Sequence, residues 1–553
     1  MSILSQFVNR VDFDSYEDFY QNFQLRLPDH FNFSYDVLDW YAEHEPDRKA
    51  LVWCDDETDD VVFTFRQLAE RTNQVANLLK AHGIGRGDSV LLVMKSRHEF
   101  WPAILACHKL FAYAIPGTHM LKEHDLTYRF EKGHIKAVMA FASDTLLDEI
   151  DRAQAATGDI LKTKISISGP RPGWVDYQAE IGNYSADYPA PPRAERNEST
   201  DPMLIYFTSG TTSQPKMVCH SYLHPLGHIV TAKYWQHVEE NMLHMSVSDS
   251  GWAKFGWGKI YGQWLCGATI FAYDMDKFVA THLLQKLQDY KVTTFCAPPT
   301  MYRFLIREDL SRFDLSGIQY ACIAGEALNP EVFNQFYKAT GLKMMEGFGQ
   351  SESSVILANF IGMTPKPGSM GKPSPQYPVE LIDRDGEPVG TGEVGEIVIR
   401  TQPGKICGLV VEYYNNPEAT AEVWAGGVYH TGDTAWRDED GYYWYVGRTD
   451  DLIKSSGYRI GPFEIESVIM ELPYVLECAV VGVPDPTRGQ VVKAYVVLTK
   501  GKTGSEELVK EIQEYVKHKT APYKYPRQVE FIKEMPKTVS GKIRRSVLRG
   551  ESK

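Results

Sequence analysis

Three observations predict an α/β fold: short apolar runs alternate with stretches at helical spacing, a later region breaks into short strands between Gly/Pro/Asp turns, and the charge balance changes sign near residue 450. The architecture expected is a large N-terminal domain of two β/α subdomains plus a β-rich subdomain, followed by a small α+β C-terminal domain. At 553 residues, 43% of them hydrophobic and 24% charged, the chain is long enough for more than one core. The boundary is placed so that residues 1–449 form the first domain and 450–553 the second.

Each element follows from local pattern. Residues 1–60 are aromatic and acidic and read as packing rather than chemistry, with Phe31-Asn-Phe-Ser-Tyr-Asp-Val-Leu-Asp-Trp-Tyr41 as the first helix. From Phe63 to Lys80 apolar residues recur at helical spacing, Thr64 is a candidate N-cap, and the glycines at 83 and 85 end the helix. Ser89–Met94 reads as a buried strand, Phe100–Phe111 as a helix and Ala137–Phe141 as the next strand, an alternation that implies a parallel sheet covered by helices. A Pro- and charge-rich link, Tyr188–Pro202, follows. A second unit of similar order has a helix at His282–Tyr290 and strands at Val292–Phe295 and Ile318–Ile323. No repeat of fixed period joins the two units. Val379–Val446 is the β-rich stretch, and Gly447–Asp451 is the hinge candidate. Beyond it come strands at Ala479–Val483 and Val492–Leu498 and an amphipathic helix at Glu506–His518.

The net charge of −14 argues against nucleic acid as the main partner. Eighteen basic against fourteen acidic side chains from Asp450 onward give +4, which leaves −18 on residues 1–449. A basic small domain beside an acidic body suits the approach of a polyanionic ligand, and equally a solvated basic surface. The eight cysteines lie scattered with no CxxC pair, which argues for a reducing compartment and against a structural zinc site. No basic leader precedes a long apolar run and no run approaches a membrane span, so a soluble cytoplasmic protein is expected. An oligomer is left open.

The chemistry begins at Thr208-Ser-Gly-Thr-Thr-Ser-Gln-Pro-Lys216, a loop leaving the apolar run Met203–Phe207. Hydroxyls, backbone N–H groups and a closing lysine suit phosphate oxygens. Pro215 rather than Gly precedes Lys216 and no G-K-[ST] opens a helix, so an ordinary P-loop NTPase is disfavoured. Five further stretches join it: Gly325-Glu-Ala-Leu328, Glu346-Gly-Phe-Gly-Gln-Ser-Glu352, Tyr429-His-Thr-Gly-Asp433, Gly447-Arg-Thr-Asp-Asp-Leu-Ile-Lys-Ser-Ser-Gly-Tyr-Arg459 and Pro536-Lys-Thr-Val-Ser-Gly-Lys-Ile-Arg-Arg545. Taken singly, Glu352 reads as a solvated acid and Lys542 as surface charge.

Taken together and in this order, these stretches resemble the adenylate-forming superfamily of acyl- and aryl-CoA synthetases, adenylation domains and luciferases, from about residue 40 to the end. Ser248-Asp-Ser-Gly-Trp-Ala-Lys254, Lys366-Pro-Gly-Ser-Met-Gly371 and Ser455-Ser-Gly-Tyr-Arg-Ile-Gly-Pro-Phe-Glu-Ile-Glu466 bring the likeness nearest to medium-chain acyl-CoA synthetases. Ser213 departs from the Gly of many members. The resemblance implies an AMP-forming acid–thiol ligase using ATP, Mg²⁺ and CoA. A small-molecule carboxylic acid becomes an acyl-adenylate and then a CoA thioester; the alternative acceptor is a carrier-protein thiol.

The same resemblance implies the site. Thr208, Ser209, Gly210, Thr211, Thr212 and Lys216 form the loop for the β- and γ-phosphates of ATP. Gly325, Glu326 and Ala327 with Phe348 enclose adenine inside a nucleotide-binding set that also includes Glu346, Gly347, Gly349, Gln350 and Ser351. Asp433 takes the ribose hydroxyls with Arg448 beside it, and Glu352 ligates Mg²⁺. Lys542, with Glu352 and Thr208, is catalytic. Asp450 is the hinge of a C-terminal domain that rotates between half-reactions, and Ser456, Gly457, Tyr458 and Arg459 meet CoA. Gly349 stands where acetate-specific relatives carry Trp, so a short- to medium-chain acid, straight or branched, is favoured over acetate. Lys254, Trp257, Cys296, Gly349 and Val355 are the candidate acyl-pocket walls; Trp257 reads also as core, and Lys254 as a partner for Asp249.

Overall fold

The computed structural model describes residues 2–141, 143–208, 214–456, 458–537 and 543–550. Among these residues the strands form four sheets. The first subdomain is built on Ser89–Val93, flanked in parallel by Tyr113–Pro116 and Ile135–Ala140. Pro202–Thr208 joins this sheet in parallel and then turns back as Lys216–Ser221. Such strands are buried on both faces, as a sheet covered by helices requires, and Ser89–Val93 is buried at every position. The helix Phe65–Ala81 is opened by a capping box between Thr64 and Gln67, and the chain leaves it through Gly83 at φ +81°.

The second sheet runs in parallel through Lys49–Cys54, Thr269–Tyr273, Leu243–Ser246, Thr294–Ala297, Tyr320–Ala324 and Met344–Phe348. The carboxyl ends of the last two strands deliver Gly325–Ala327 and Phe348–Glu352 to one edge, where ligands of open α/β sheets bind. Val379–Ile382, Gly395–Ile399, Tyr429–Arg437 and Tyr443–Arg448 make the antiparallel β-rich subdomain. After it, Ile453, Ile465, Val480, Val492, Ile512 and Val516 form a separate core for the small α+β unit. Among the contacts that join this unit to the large body, Asn329 Nδ2 donates to the Ser467 carbonyl at 3.0 Å, and the Phe463 ring meets Tyr445 edge-on at 5.8 Å.

One expected element differs. The stretch 31–41 is not a plain helix: Ser34–Leu38 is a π-turn that continues into Asp39–His44, and Leu4–Phe7 and Tyr16–Asn22 are helices that precede it. Polar side chains take over the opening turn: Ser34 N donates to Asn32 Oδ1 at 3.1 Å, Asn32 N donates to Asp36 at 2.8 Å, and the Ser34 hydroxyl donates to the Leu105 carbonyl at 2.8 Å. All eight cysteines are buried and unpaired. Among the described residues no helix is long and apolar enough to cross a membrane, and no group of three His, Cys, Asp or Glu side chains gathers as a metal site.

Candidate active site

Ser209, Gly210, Thr211, Thr212, Ser213, Gly457 and Lys542 lie outside the described residues. The remaining candidates gather mainly along the carboxyl edge of the second sheet. Thr208 and Lys216 face each other in register at the base of the first loop, so the antiparallel turn places the lysine beside the strand end. The Lys216 ammonium stands 4.8 Å from the centre of the Tyr413 ring, and the Tyr413 hydroxyl donates to Glu352 Oε1 at 2.9 Å. Burial, with Glu352 beside it, pushes the Tyr413 phenol far above its ordinary range, so it stays a donor. Glu352 keeps part of its surface accessible.

Two residues before Glu352, Gln350 turns the other way. Its Nε2 donates to the Thr431 carbonyl at 2.7 Å and to Asp433 Oδ2 at 2.5 Å, while the Tyr429 hydroxyl donates to its Oε1 at 2.9 Å. Tyr445 donates to the other Asp433 oxygen at 3.1 Å, and the Arg448 guanidinium lies 3.8 Å from Oδ2. Asp433 is thus fixed on both oxygens, and a carboxylate so oriented is the kind of acceptor a diol needs. Arg448 also reaches Asp450 at 3.5 Å, placing the hinge candidate next to this carboxylate.

Gly325, at φ +108°, and Glu326 are exposed, and Glu326 pairs with Arg303 at 3.6 Å. Glu346 lies behind them. Leu328 N donates to its Oε1 at 3.2 Å, and burial raises the carboxyl to about 8, so it is largely protonated at neutral pH. Phe348 lies 6.4 Å from Tyr445, centre to centre.

The two glycines of Glu346-Gly-Phe-Gly-Gln admit two indoles. A Cβ at Gly347 would come within 2.5 Å of Trp235, and one at Gly349 would come 2.8 Å from Trp257 Cζ2 and 2.7 Å from the Ser354 carbonyl. Trp235 and Trp257 cross at 89° with centres 6.1 Å apart. The space left by the absent side chain at 349 is therefore taken by Trp257, a correction to the volume inferred from Gly349 alone. Val355 and Cys296 are fully buried, Cys296 in register with Cys322. Lys254 does not pair with Asp249, which lies 3.2 Å from His119; its Nζ donates to the Ala324 carbonyl at 2.7 Å. Ser456, at φ +50°, accepts from Arg488 at 3.2 Å, Tyr458 stacks on Tyr523 with centres 4.1 Å apart, and Arg459 is exposed. Sequence reasoning missed Tyr413, Tyr445, Trp235 and Thr431 as partners. Of these only Thr431 carried a signal, since it shares the Asp433 motif.

Two α/β sheets, a β-rich subdomain ending in a carboxylate and arginine, and a small basic C-terminal unit define an adenylate-forming enzyme. The chain belongs to the AMP-binding enzyme family: residues 38–411 match AMP-binding enzymes and residues 464–542 match the AMP-binding enzyme C-terminal domain. Acyl-coenzyme A synthetase ACSM3, mitochondrial, of Mus musculus is 41% identical over 548 residues, 97% of this chain and 93% of that protein. Acyl-coenzyme A synthetase ACSM5, mitochondrial, of Homo sapiens is 41% identical over 535 residues, 95% and 91% of the two chains. Of solved structures, the anthranilate CoA ligase AuaEII in complex with anthranoyl-AMP matches with a TM-score of 0.86 at 28% identity, over 95% of this chain and 98% of that one. A benzoate CoA ligase from Burkholderia xenovorans LB400 matches at 0.81 and 27%, over 94% and 100%. The curated relatives are named as mitochondrial, which overturns the cytoplasmic expectation. That expectation rested on a search for an apolar leader, a signal that bears on secretion and membrane insertion and is silent about import into an organelle.

Proposed function

We propose that the chain is an AMP-forming acyl-CoA synthetase that runs two half-reactions in one cleft. What supports this reading most is the arrangement around one short segment: Gln350 holds Asp433, which has Arg448 3.8 Å away, on one side, while Glu352, through Tyr413, faces Lys216 on the other. A nucleotide lying across the segment 350–352 would set its ribose on Asp433 and its phosphates toward Lys216 and the loop after Thr208. Adenine would lie between Gly325–Ala327 and Phe348, with the neutral Glu346 behind.

Glu352 fits Mg²⁺, being a hard oxygen donor with accessible surface. A hard divalent ion held by one or two carboxylates and substrate phosphates needs no cage of protein ligands, and when bound it would neutralise phosphate charge. The acid's carboxylate attacks the α-phosphorus, pyrophosphate leaves, and charge accumulates on the phosphate oxygens. Lys542 is assigned to that charge; removing one preorganised donor of this kind costs roughly 10²–10³ in rate. We take the domain boundary at 449/450, with Asp450 as the pivot that withdraws Lys542 and presents Ser456–Arg459 to CoA. The thiolate of CoA then displaces AMP. The acyl group is assigned as short to medium, straight or branched, with Trp257 as the wall that limits it.

The test incubates purified protein with ATP, Mg²⁺ and a panel of C2–C10 acids, with and without CoA, and quantifies AMP, ADP, pyrophosphate and thioester. AMP and thioester formed together, only with both acid and CoA, is the expected result. ADP as product would overturn the mechanism, and AMP without thioester would transfer the reading to another acceptor. In the same assay Lys542→Ala is expected to lose adenylation and to keep thioester formation from supplied acyl-adenylate. Equal loss of both half-reactions would refute that division.

A further inference from the structure

Three imidazoles form a buried row behind the segment that carries Glu352. His220 stands on the strand Lys216–Ser221, four residues after Lys216 and so on the same face, while His224 and His228 stand one turn apart on the helix His224–Ile229. The rings of His220 and His224 stack with centres 3.7 Å apart, and Nε2 of His224 lies 3.0 Å from Nε2 of His228. Burial lowers all three pKa values, His220 to about 4 and His228 to about 3, so each ring is neutral and carries one N–H. The Ser351 carbonyl, 2.7 Å from His220 Nε2, can only accept, which puts the His220 hydrogen on that nitrogen. At the far end the Thr231 hydroxyl lies 3.2 Å from His228 Nδ1 and accepts from Val355 N at 3.5 Å, so the row meets both ends of the segment 351–355. Close backbone packing fixes the helix: a Cβ at Gly227 would come 2.5 Å from Gly408 Cα, and one at Gly262 would come 2.3 Å from the His228 carbonyl.

The peptide after Ser351 is planar and trans, so a carbonyl turned to His220 turns the N–H of Glu352 to the opposite side. Ser353 N donates to the Gln350 carbonyl at 3.2 Å and Val410 N to the Glu352 carbonyl at 2.6 Å, but among the described residues nothing accepts from Glu352 N. Gln350 holds Asp433, assigned to the ribose, and Glu352 faces Lys216, assigned to the distal phosphates. The peptide between them therefore falls at the phosphate joined to the ribose. We propose that His220 is a positioning residue: through the Ser351 carbonyl it aims the Glu352 N–H at that phosphate, and His224 and His228 hold its ring in place. The proposal rests on the acyl-CoA synthetase reading. A hydrogen bond to a charged group is stronger than a neutral one, so this donor favours AMP over adenosine by about tenfold or more.

The experiment measures binding of AMP and of adenosine by titration calorimetry, without metal, to the wild-type protein, His220→Leu, His220→Gln and His220→Asn. The Gln amide nitrogen reaches the place of Nε2, whereas that of Asn reaches only the place of Nδ1. His220→Leu is expected to lower the AMP-to-adenosine affinity ratio by about tenfold or more with the adenosine affinity unchanged. His220→Gln is expected to restore most of the ratio and His220→Asn to leave it low. Three results overturn the proposal: a ratio unmoved in His220→Leu, AMP and adenosine weakened together, which would make His220 merely structural, or His220→Gln no better than His220→Asn. If His220→Leu does not fold, the Gln and Asn variants decide between them. AMP release by the wild type in the acid panel with ATP and CoA keeps the synthetase reading whichever way the ratio falls, and no AMP release with any acid removes both.

Discussion

A single methyl group added at Gly349 tests whether Trp257 sets the length of the acyl group. In Gly349→Ala the new Cβ would stand 2.7 Å from the Ser354 carbonyl and 2.8 Å from Trp257 Cζ2, with Cη2 nearer still. Ordinary contact between such atoms is about 3.5–4.0 Å, so something must move by about an ångström. The carbonyl is backbone, which leaves the indole. Trp257 is 5% exposed and meets Trp235 edge to face, so it has little room to retreat, and its displacement is taken up by the cleft. Overpacking of this kind costs about 1–3 kcal/mol of stability. A pocket shortened by about one methylene loses about 1–3 kcal/mol for the longest acid that filled it, or roughly 10–200-fold in kcat/KM. The assay follows AMP release with propionate, butyrate, hexanoate and octanoate. The ratio of long to short acids is expected to fall at least about tenfold while the KM for ATP stays unchanged. Trp257→Leu in the Gly349→Ala background is expected to restore the ratio. An unchanged chain-length profile in folded Gly349→Ala would refute the reasoning. By the same geometry Gly349→Trp has no space beside Trp257, so it cannot act as a simple plug for the pocket.

Two further predictions concern charge. Glu346 is held near 8 by burial, far above its unfolded value, so the native state binds a proton that the unfolded chain has released. Its contribution is fully present below the ordinary carboxylate range and declines as pH rises toward 8, by on the order of 1.4 kcal/mol per pH unit. Glu346→Gln is therefore expected to gain stability over the wild type progressively from pH 5 to 8, read from urea midpoints; a pH-independent offset would contradict the assignment. The second concerns the tail that carries Lys542. Arg545 bridges to Glu466 at 2.7 and 2.9 Å and lies 3.7 Å from Asp451, while Arg549 donates to Asp451 at 2.6 Å. Arg545→Met is expected to lower adenylation by on the order of 10²-fold through misplacement of the tail, to spare thioester formation from acyl-adenylate, and to be partly rescued as Arg545→Lys. Equal loss in both half-reactions would make Arg545 merely structural.

Much of the fold was legible because its signals are local. Thr64 and Gln67 stand three apart before an apolar-periodic run, and the capping box forms there. Apolar runs such as Ser89–Val93 and Tyr320–Ala324 have few alternatives to a buried strand. Assembly was not legible. Lys49–Cys54 pairs with Thr269–Tyr273, more than two hundred residues on, and nothing in either segment specifies the other. Strand ends also moved, by one residue at Ser89–Val93 and by four at Val475–Asp485, whose ladder continues past the apolar run Ala479–Val483.

The site divides along the same line. Its motifs were readable since each is a continuous stretch whose residues act together, as Gln350 and Glu352 do. Specificity was unreadable because it arises between stretches. Gly349 alone announces a missing side chain, yet what fills that space is an indole from a helix about ninety residues earlier in the chain. Lys254 alone reads as a pocket wall or a partner for Asp249, and only the fold turns it to the Ala324 carbonyl and turns Asp249 to His119. Lys254 and Trp257 both come from the helix Ala253–Lys259, which meets the ends of the strands Tyr320–Ala324 and Met344–Phe348. On the proposed assignments a change in that helix alters which acid is taken while the segment 346–352 and Asp433, proposed for adenylation, are left in place, and the Gly349 experiment measures that separation.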